Sequence, residues 1–453
     1  MTPLPEHPPF ALRARLLTPL GAGGHRHEAD ALVQVDADGR LASVEPSDDA
    51  AHDHPHAEGA GGRRAALDVR PMVVMPGLVD LHVHLPQIPN AGLGSGLDLL
   101  TWLDRYIFPL ERAYDAATAE AQAPAALRAF AAVGTTTILA YAALWPDSTD
   151  ACFRAAEAHG IRAVIGKVMM DRITYDEAIA PGQILDASLA QSAELCERWH
   201  GRDAGRLRYA FTPRFAVSST EALLRESARL AAHYDAYWQT HLSEDDGELA
   251  EVGRLFPDAR DYLDVYDRAG GLTERAILAH AIHLAPREVE RLAESGAHVA
   301  HCPASNLFLS SGLMPAARYL AAGISMGLGS DVAAGPELSM FSVMRAAAVT
   351  QRVLELTGDV ERSSVPGPLD WLRLATLGGA HALGLEAVIG SVEVGKEADL
   401  ILVDPRLTSA LKDGDVPGTP EELMSRLIFR PHPEMVRAAW VRGRRLPAEQ
   451  ATP

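Results

Sequence analysis

Cysteine is scarce in this sequence, and its three copies are scattered. Cys152, Cys196 and Cys302 are the only cysteines among 453 residues, and no two of them form a C-x-x-C pair. A disulfide-stapled scaffold is therefore excluded. Such cysteine usage is typical of proteins from a reducing compartment, where thiols stay free.

The sequence also lacks a long uninterrupted apolar run. The first 20 residues alternate prolines, arginines and short apolar pieces, which differs from a signal peptide. The most apolar candidate span, residues 123–145, contains Arg128 and a break at Gly134, so it predicts a helix followed by a strand. Together with the cysteine usage, this predicts a cytoplasmic protein with no membrane partner.

Positive charge is in the minority. The chain has 41 Lys and Arg against 60 Asp and Glu, a formal net charge of −19. Nucleic acid is not an expected partner, because phosphate contacts need a basic face. A small neutral substrate is compatible with this charge. The length leaves room for one large domain and a smaller one.

The middle of the chain alternates short apolar runs with helical stretches rich in Ala, Leu, Glu and Arg. The eight runs are residues 78–84, 135–141, 163–169, 207–215, 237–244, 276–280, 297–302 and 325–330. Eight such units in order predict an α/β fold, a (β/α)8 barrel. A doubly wound open sheet is the alternative, but no Gly-rich phosphate loop follows the first run.

Both chain ends have a different, β-rich texture. Residues 31–35 and 41–44 are the clearest strands near the start, and residues 398–403 and 436–441 near the end, the last followed by Arg442-Gly443 as in a hairpin. This pattern predicts one small β-domain built from both termini. We expect its parts at 1–74 and 391–453, with the barrel at 75–390.

The first apolar run ends in two histidines that suit a metal site. His82 and His84 are two apart on a strand, so both side chains point to one face. With His241 and Asp331, which follow two other runs, they form a His3Asp set that suits Zn²⁺ and also accepts Fe²⁺. The patterns His25-Arg26-His27 and residues 52–56 (HDHPH) lie in polar surroundings and are read as solvated loops.

Two carboxylates stand where a metal-activated water molecule needs proton transfer. Glu244 follows His241 by three residues, and its alternative interpretation is a surface glutamate in an acidic stretch. Asp331 can bind a metal through one oxygen and accept a proton with the other, or it can be a helix-cap or turn aspartate.

Three further side chains close the predicted rim. His280 ends the sixth run and is interpreted as orienting the attacking water or the tetrahedral centre; a satisfied core histidine is the alternative. Arg214, behind a proline, offers a planar fork of donors, and Gln87 offers both a donor and an acceptor to a heterocycle edge. Either can instead tie down a loop. We assign packing roles to His301 and Cys302.

The chain resembles the guanine deaminases of the amidohydrolase superfamily. The resemblance rests on anchors that run in order across roughly residues 73–395. They are residues 75–87 (MPGLVDLHVHLPQ), 99–103 (LLTWL), 106–111 (YIFPLE), 166–171 (GKVMMD), 212–215 (TPRF), 241–244 (HLSE), 301–306 (HCPASN), 329–331 (GSD) and 375–379 (ATLGG). The LPQ and TPRF pieces carry the narrower resemblance.

The resemblance implies a barrel with a β-sandwich from both ends, one zinc ion per chain and a homodimer. It assigns the zinc ligands to His82, His84, His241 and Asp331, purine binding to Gln87, Arg214 and Phe215, and proton transfer to Glu244 and Asp331. The implied reaction is hydrolysis of guanine to xanthine and ammonia, with Glu244 protonating N3 and Asp331 helping a proton reach the departing amine. A second, lysine-bridged metal is not expected, because the fourth run ends in Arg214 and the nearest lysine, Lys167, is on the third.

The sequence departs from that pattern at Ser330, at residues 332–336 (VAAGP) and at Asp245. These changes affect the expected identity of the substrate more than the expected reaction type. The alternatives are therefore an aminohydrolase of another aminated heterocycle, such as an oxidised guanine, a pterin or a triazine, and a non-catalytic binding protein on the same scaffold. Short-chain zinc deaminases are excluded, since their metal site needs P-C-x-x-C.

Overall fold

The computed structural model describes residues 3–47, 65–411 and 415–448. Eight parallel strands form the central sheet, and the predicted (β/α)8 barrel is confirmed. The strands in barrel order are β5 (Leu78–His84), β6 (Thr135–Tyr141), β7 (Arg162–Gly166), β9 (Leu207–Pro213), β10 (Tyr237–Leu242), β11 (Ala276–His280), β12 (His298–His301) and β13 (Ser325–Leu328), with the short β8 (Val168–Met169) paired to β9.

The barrel closes between its first and last strands through the Asp80 side chain. The backbone N–H of Ser330 donates to Asp80 Oδ1 at 2.8 Å, and the backbone N–H of Asp331 donates to the His82 carbonyl at 2.8 Å. These bonds join the carboxyl end of β5 to the segment that follows β13. The closure therefore fixes Asp331 against the two histidines of β5.

A second sheet, with seven strands in the described ranges, draws its strands from both terminal parts of the chain, as predicted. Its order is β16-β15-β14-β4-β1-β2-β3. The strands are β1 (Phe10–Pro19), β2 (His25–Val35), β3 (Leu41–Pro46), β4 (Leu67–Pro76), β14 (Leu400–Val403), β15 (Val436–Val441) and β16 (Arg444–Arg445). The antiparallel pair β15–β16 is the predicted hairpin. One strand, β4, leads through Gly77 directly into β5, so this sheet adjoins the amino end of the first barrel strand.

Helices follow the barrel strands and cover them. They are α1 (Leu99–Trp102), α2 (Phe108–Arg112), α3 (Ala116–Ala132), α4 (Pro146–His159), α5 (Ile184–Trp199), α6 (Arg202–Gly205), α7 (Glu221–His233), α8 (Asp246–Leu255), α9 (Tyr262–Arg268), α10 (Pro286–Ser295), α11 (Pro303–Phe308), α12 (Ala316–Ala321), α13 (Met340–Thr357), α14 (Pro368–Arg373), α15 (Gly379–Ala382) and α16 (Pro420–Phe429). The predicted helix-to-strand change within 123–145 is confirmed, since α3 ends at Ala132 and β6 begins at Thr135. Within the described ranges, no helix has the length and apolarity that crossing a membrane requires.

One local interpretation was wrong. His25 and His27 lie in β2 and pair with Pro19 and Leu17 of β1, so they are not in a polar loop. Pairing with the preceding strand β1 in an antiparallel hairpin overrides the local polar composition there. The H-x-H pattern of residues 52–56 lies outside the described residues.

Candidate metal centre and purine pocket

Three histidines meet inside the carboxyl end of the barrel. His84 Nε2 lies 3.2 Å from His82 Nε2 and 3.2 Å from His241 Nε2. All three residues are buried. Burial lowers the pKa of His82 and holds the pKa of His84 and His241 well below the ordinary histidine value. The neutral imidazole that these shifts favour is the form that ligates a metal.

The spacing of these nitrogen atoms fits a metal ion. Tetrahedral ligands on bonds of about 2.0–2.1 Å stand about 3.3–3.4 Å apart. Asp331 Oδ1 extends the group, at 3.2 Å from His82 Nε2 and 3.4 Å from His84 Nε2. The donor set of three nitrogens and one carboxylate oxygen suits Zn²⁺ or a similar divalent ion. The predicted His3Asp set is therefore brought together within a few ångströms.

Neighbouring groups fix the orientation of two of these side chains. His241 Nδ1 lies 2.5 Å from the Arg214 carbonyl oxygen, which leaves Nε2 facing the other histidines. Ser305 Oγ donates to Asp331 Oδ2 at 2.6 Å, on the oxygen opposite the histidines. Such outer hydrogen bonds orient metal ligands and tune their basicity. Neither Ser305 nor its contact was singled out from the sequence.

A glycine lets Asp331 come this close. A Cβ atom on Gly329 would lie 2.7 Å from His82 Cβ and 3.0 Å from Cys302 Sγ. Any side chain at this position would therefore push apart the segments that hold the site. This close approach explains the glycine two residues before Asp331.

Glu244 is buried beside the histidine cluster, which excludes the surface-glutamate interpretation. Its side chain is 2% exposed. Its Oε2 lies 3.4 Å from His280 Nε2, and Ser311 Oγ donates to its Oε1 at 3.4 Å. Burial and the neighbouring Asp331 raise the pKa of Glu244 well above its ordinary value. Although burial opposes it, the contact with His82 lowers the pKa of Asp331 to about 2.

The surroundings of the two carboxyl groups thus shift their pKa values in opposite directions. Glu244 is favoured as an acid that holds a proton, and Asp331 as an ionised base or ligand. Pairs of carboxyls whose surroundings push their pKa values apart are the usual acid and base of a hydrolytic site. His280 lies between them, 3.4 Å from Glu244 and 3.8 Å from Asp331 Oδ2, and its Nδ1 is 2.9 Å from Asn306 Oδ1.

Backbone strain is concentrated at this rim. Ser243, His280 and Asp331 adopt positive φ angles of 48°, 70° and 49°. Non-glycine residues take this left-handed conformation only where the surroundings enforce it, and such strain clusters at functional sites. His283, three residues after His280, is part-exposed and places Nε2 2.7 Å from the Ser311 carbonyl oxygen.

A narrow pocket opens on this cluster. Its lining residues are His84, Gln87, Leu99, Trp102, Leu103, Arg214, Phe215, His241, Glu244, Leu309, Asp331 and Ala334. All predicted purine-binding residues lie in this lining. Six of these twelve residues are apolar and six are polar, so the pocket offers both flat apolar walls and hydrogen-bonding groups to a heterocycle.

Two of the predicted clamp residues share a partner that sequence reasoning missed. Gln87 Nε2 donates to Glu111 Oε1 at 2.7 Å, and Arg214 Nη2 lies 3.3 Å from the same oxygen. Arg214 also lies over the Phe215 ring at 5.6 Å. The available signal was the placement of Glu111 at the end of the family anchor at 106–111. Gln87 and Arg214 therefore both line the pocket, and Glu111 holds both of them.

The residues predicted to pack, His301 and Cys302, are fully buried at the end of β12. Burial lowers the pKa of His301 to about 3, so its imidazole is neutral. Cys302 Sγ lies 3.4 Å from the Ala300 carbonyl oxygen, and the thiol comes within reach of the His82 and His280 nitrogens.

Comparison with known proteins identifies the family to which this site belongs. The model of the amidohydrolase family matches residues 73–446. A probable guanine deaminase of Deinococcus radiodurans is 41% identical over 346 residues, which are 76% of this chain and 76% of the relative.

Two solved structures share the whole architecture. The guanine deaminase of E. coli superposes with a TM-score of 0.87 at 32% identity, covering 98% of this chain and 100% of that one. A guanine deaminase from C. acetobutylicum, with guanine bound in its active site, gives a TM-score of 0.85 at 27% identity, covering 96% and 99%. The chain thus matches these relatives along almost its full length.

Proposed function

The chain belongs to the amidohydrolase family, among its guanine deaminases, and we propose that it hydrolyses guanine at C2 to give xanthine and ammonia. The enzyme class that follows is a hydrolase of the C–N bond of a cyclic amidine. The substrate is a small molecule, in line with a narrow pocket and a net charge of −19.

One observation carries the proposal. The same pocket is lined by two histidines of the cluster, His84 and His241, by the buried Glu244 and by the Gln87–Arg214 pair. Metal ligands, an acid and a planar donor fork are the three parts that hydrolysis of an aminated lactam ring needs. A binding protein would have no use for the strained Asp331 and the buried acid together.

The metal that we propose is one Zn²⁺ per chain, with Fe²⁺ as the alternative. His82, His84, His241 and Asp331 would hold it, in line with their mutual spacings of 3.2–3.4 Å. When bound, such an ion lowers the pKa of a coordinated water molecule and so supplies a nucleophile at neutral pH.

The protein side chains position the purine. Arg214 offers its guanidinium fork to the carbonyl edge, and Gln87 binds the adjacent ring edge. Phe215 supplies an apolar wall beside Arg214. Leu103 and Leu309 are among the apolar residues of the lining, and apolar walls limit the contact of bulk water with the reacting carbon.

The carboxyl groups move the protons. As water adds to C2, negative charge develops on N3, and Glu244 donates its proton there. Asp331 accepts a proton from the added water and helps transfer it to the 2-amino group, which leaves as ammonia. His280 orients the tetrahedral centre and faces both carboxyl groups. As ammonia leaves and the C2 carbonyl forms, the C2 hydroxyl returns its proton to Glu244, so one water and one guanine give one xanthine and one ammonia.

Three expectations about oligomeric state, location and domain division accompany this proposal. We expect a homodimer and a cytoplasmic location, as the resemblance and the cysteine usage imply. We also keep the division into 1–74, 75–390 and 391–453, which is supported by a separate sheet that draws strands from both ends.

The proposal is tested by incubating the purified metal-loaded protein with guanine and quantifying both products. Xanthine and ammonia in equal amounts support it. No product from guanine, with product from an oxidised guanine, a pterin or a triazine, assigns the site to that other heterocycle. No turnover of any of them with metal bound contradicts the enzymatic function.

A further inference from the structure

The buried carboxylate of Glu111 has no part in the mechanism above. It lies in α2, and its side chain is fully buried. Its Oε1 accepts a hydrogen bond from Gln87 Nε2 at 2.7 Å, and its Oε2 accepts one from Tyr175 OH at 3.3 Å. A buried carboxylate is costly unless its charge and its lone pairs are satisfied. Glu111 contacts Gln87 and Arg214, which both line the pocket, and this position suggests a role in the pocket.

The first consequence concerns Gln87. Its amide nitrogen is held by Glu111, so the side chain cannot rotate by half a turn without placing its oxygen against a carboxylate. The orientation of the amide is therefore set by Glu111. Gln87 lines the cavity, and the acceptor Oε1 is on the branch of the amide that does not contact Glu111.

The second consequence concerns charge. Arg214 is buried, and its Nη2 lies 3.3 Å from Glu111 Oε1, so the guanidinium is compensated within the protein. The neighbouring anion raises the pKa of Arg214 although burial opposes this. An arginine without such a partner at a buried binding edge would favour an anionic ligand.

We propose that Glu111 is a positioning residue that sets the specificity of the pocket: it fixes the Gln87 amide and neutralises Arg214, so that a neutral purine lactam is bound and an anionic one is rejected. This inference rests on the proposed function, in which guanine is the neutral lactam and Arg214 contacts it. It assigns ligand charge selection to a residue that itself stays behind the pocket wall.

The test compares two purine ligands of nearly the same shape that lack the 2-amino group. Hypoxanthine is neutral, whereas 8-azahypoxanthine has a more acidic azole N–H and is an anion at mildly alkaline pH. Binding of both to the metal-loaded protein is measured by titration calorimetry, which needs no turnover. Glu111→Gln should raise the affinity ratio of the anion over the neutral ligand by roughly tenfold to a hundredfold, the size of one uncompensated charge near a ligand.

A matched control is Glu288→Gln. Glu288 is also a buried glutamate, but it accepts hydrogen bonds from the backbone of Leu263 and Ala285 and does not line the cavity. It should leave the ratio unchanged. Arg214→Gln provides a second measurement if the first variant does not fold: it leaves the Glu111 charge alone, so the ratio should fall below the wild-type value.

An affinity ratio within about twofold of wild type in folded, metal-containing Glu111→Gln protein overturns the inference, as does a ratio that rises in Arg214→Gln. The proposed function is tested separately, by guanine turnover of the wild type. If guanine is not hydrolysed, that function fails, while the two binding ratios still decide the role of Glu111.

Discussion

Replacing Glu244 with glutamine removes the proposed proton donor and keeps its shape. Glu244 faces His280 at 3.4 Å, and among the described residues it is one of two carboxyls that line the cavity, the other being Asp331. Asp331 faces His82 and His84, so it cannot take over the role of Glu244. Within the part of the chain that the structure describes, no third acid lines the pocket to protonate the ring nitrogen.

The size of the effect follows from the role. A positioned general acid contributes about 10²–10⁴ in rate, or about 3–5 kcal/mol of barrier. Because no neighbouring carboxyl replaces it, we expect kcat of Glu244→Gln to fall by about 10³ or more. The metal content should stay near the wild-type value, since the spacing of the histidine nitrogens does not involve Glu244.

The assay measures xanthine formation in steady state and the metal content of the same preparations. The matched control is Asp246→Asn, an acid two residues away whose side chain is 92% exposed, and it should keep wild-type kcat. A kcat within tenfold of wild type would refute the proton-donor role. Loss of the metal would instead make Glu244 a ligand.

Chelation should abolish turnover and lower the thermal unfolding temperature, because a metal that binds the folded state stabilises it; Zn²⁺ should restore both, and an unchanged rate in metal-free protein would contradict the metal role. Arg214→Ala should raise KM for guanine by about 10–100-fold, and an unchanged kcat/KM would contradict the clamp. Ser305→Ala, which frees Asp331 Oδ2, should weaken metal affinity about 10–100-fold in a competition titration, whereas wild-type affinity would refute its orienting role. Burial lowers the pKa of Lys167 from 10.5 to about 7. Between pH 7 and 10.5 this lysine is therefore protonated in the unfolded chain and neutral in the folded one, so the free energy of unfolding rises with pH. Lys167→Met should flatten that rise in thermal unfolding, and an unchanged slope would contradict it.

The fold was predictable because the sequence repeats one physical signal eight times. Each apolar run is followed by a helical stretch, and parallel strands joined by helices close into a barrel. The meeting of His82, His241 and Asp331 followed from the same reasoning, since the carboxyl ends of the strands share one rim. Their burial and mutual distances of a few ångströms needed the structure.

Other features depend on chain packing that no local pattern reveals. Glu111 meets Gln87 only because residues 85–112 fold back over the rim in several short helices. Ser305 and Asn306 reach the site from the start of α11, after β12 has ended. His25 was misread for a different reason, because its polar surroundings in the sequence hid the hairpin that β2 forms with β1.

We propose that the metal-loaded pocket in this barrel removes the amino group of guanine. This function is tested by the yield of xanthine and ammonia from guanine with the purified protein, measured with and without a chelator. We predict equal amounts of both products and none after chelation. Guanine left intact by protein that contains one metal per chain would contradict the claim.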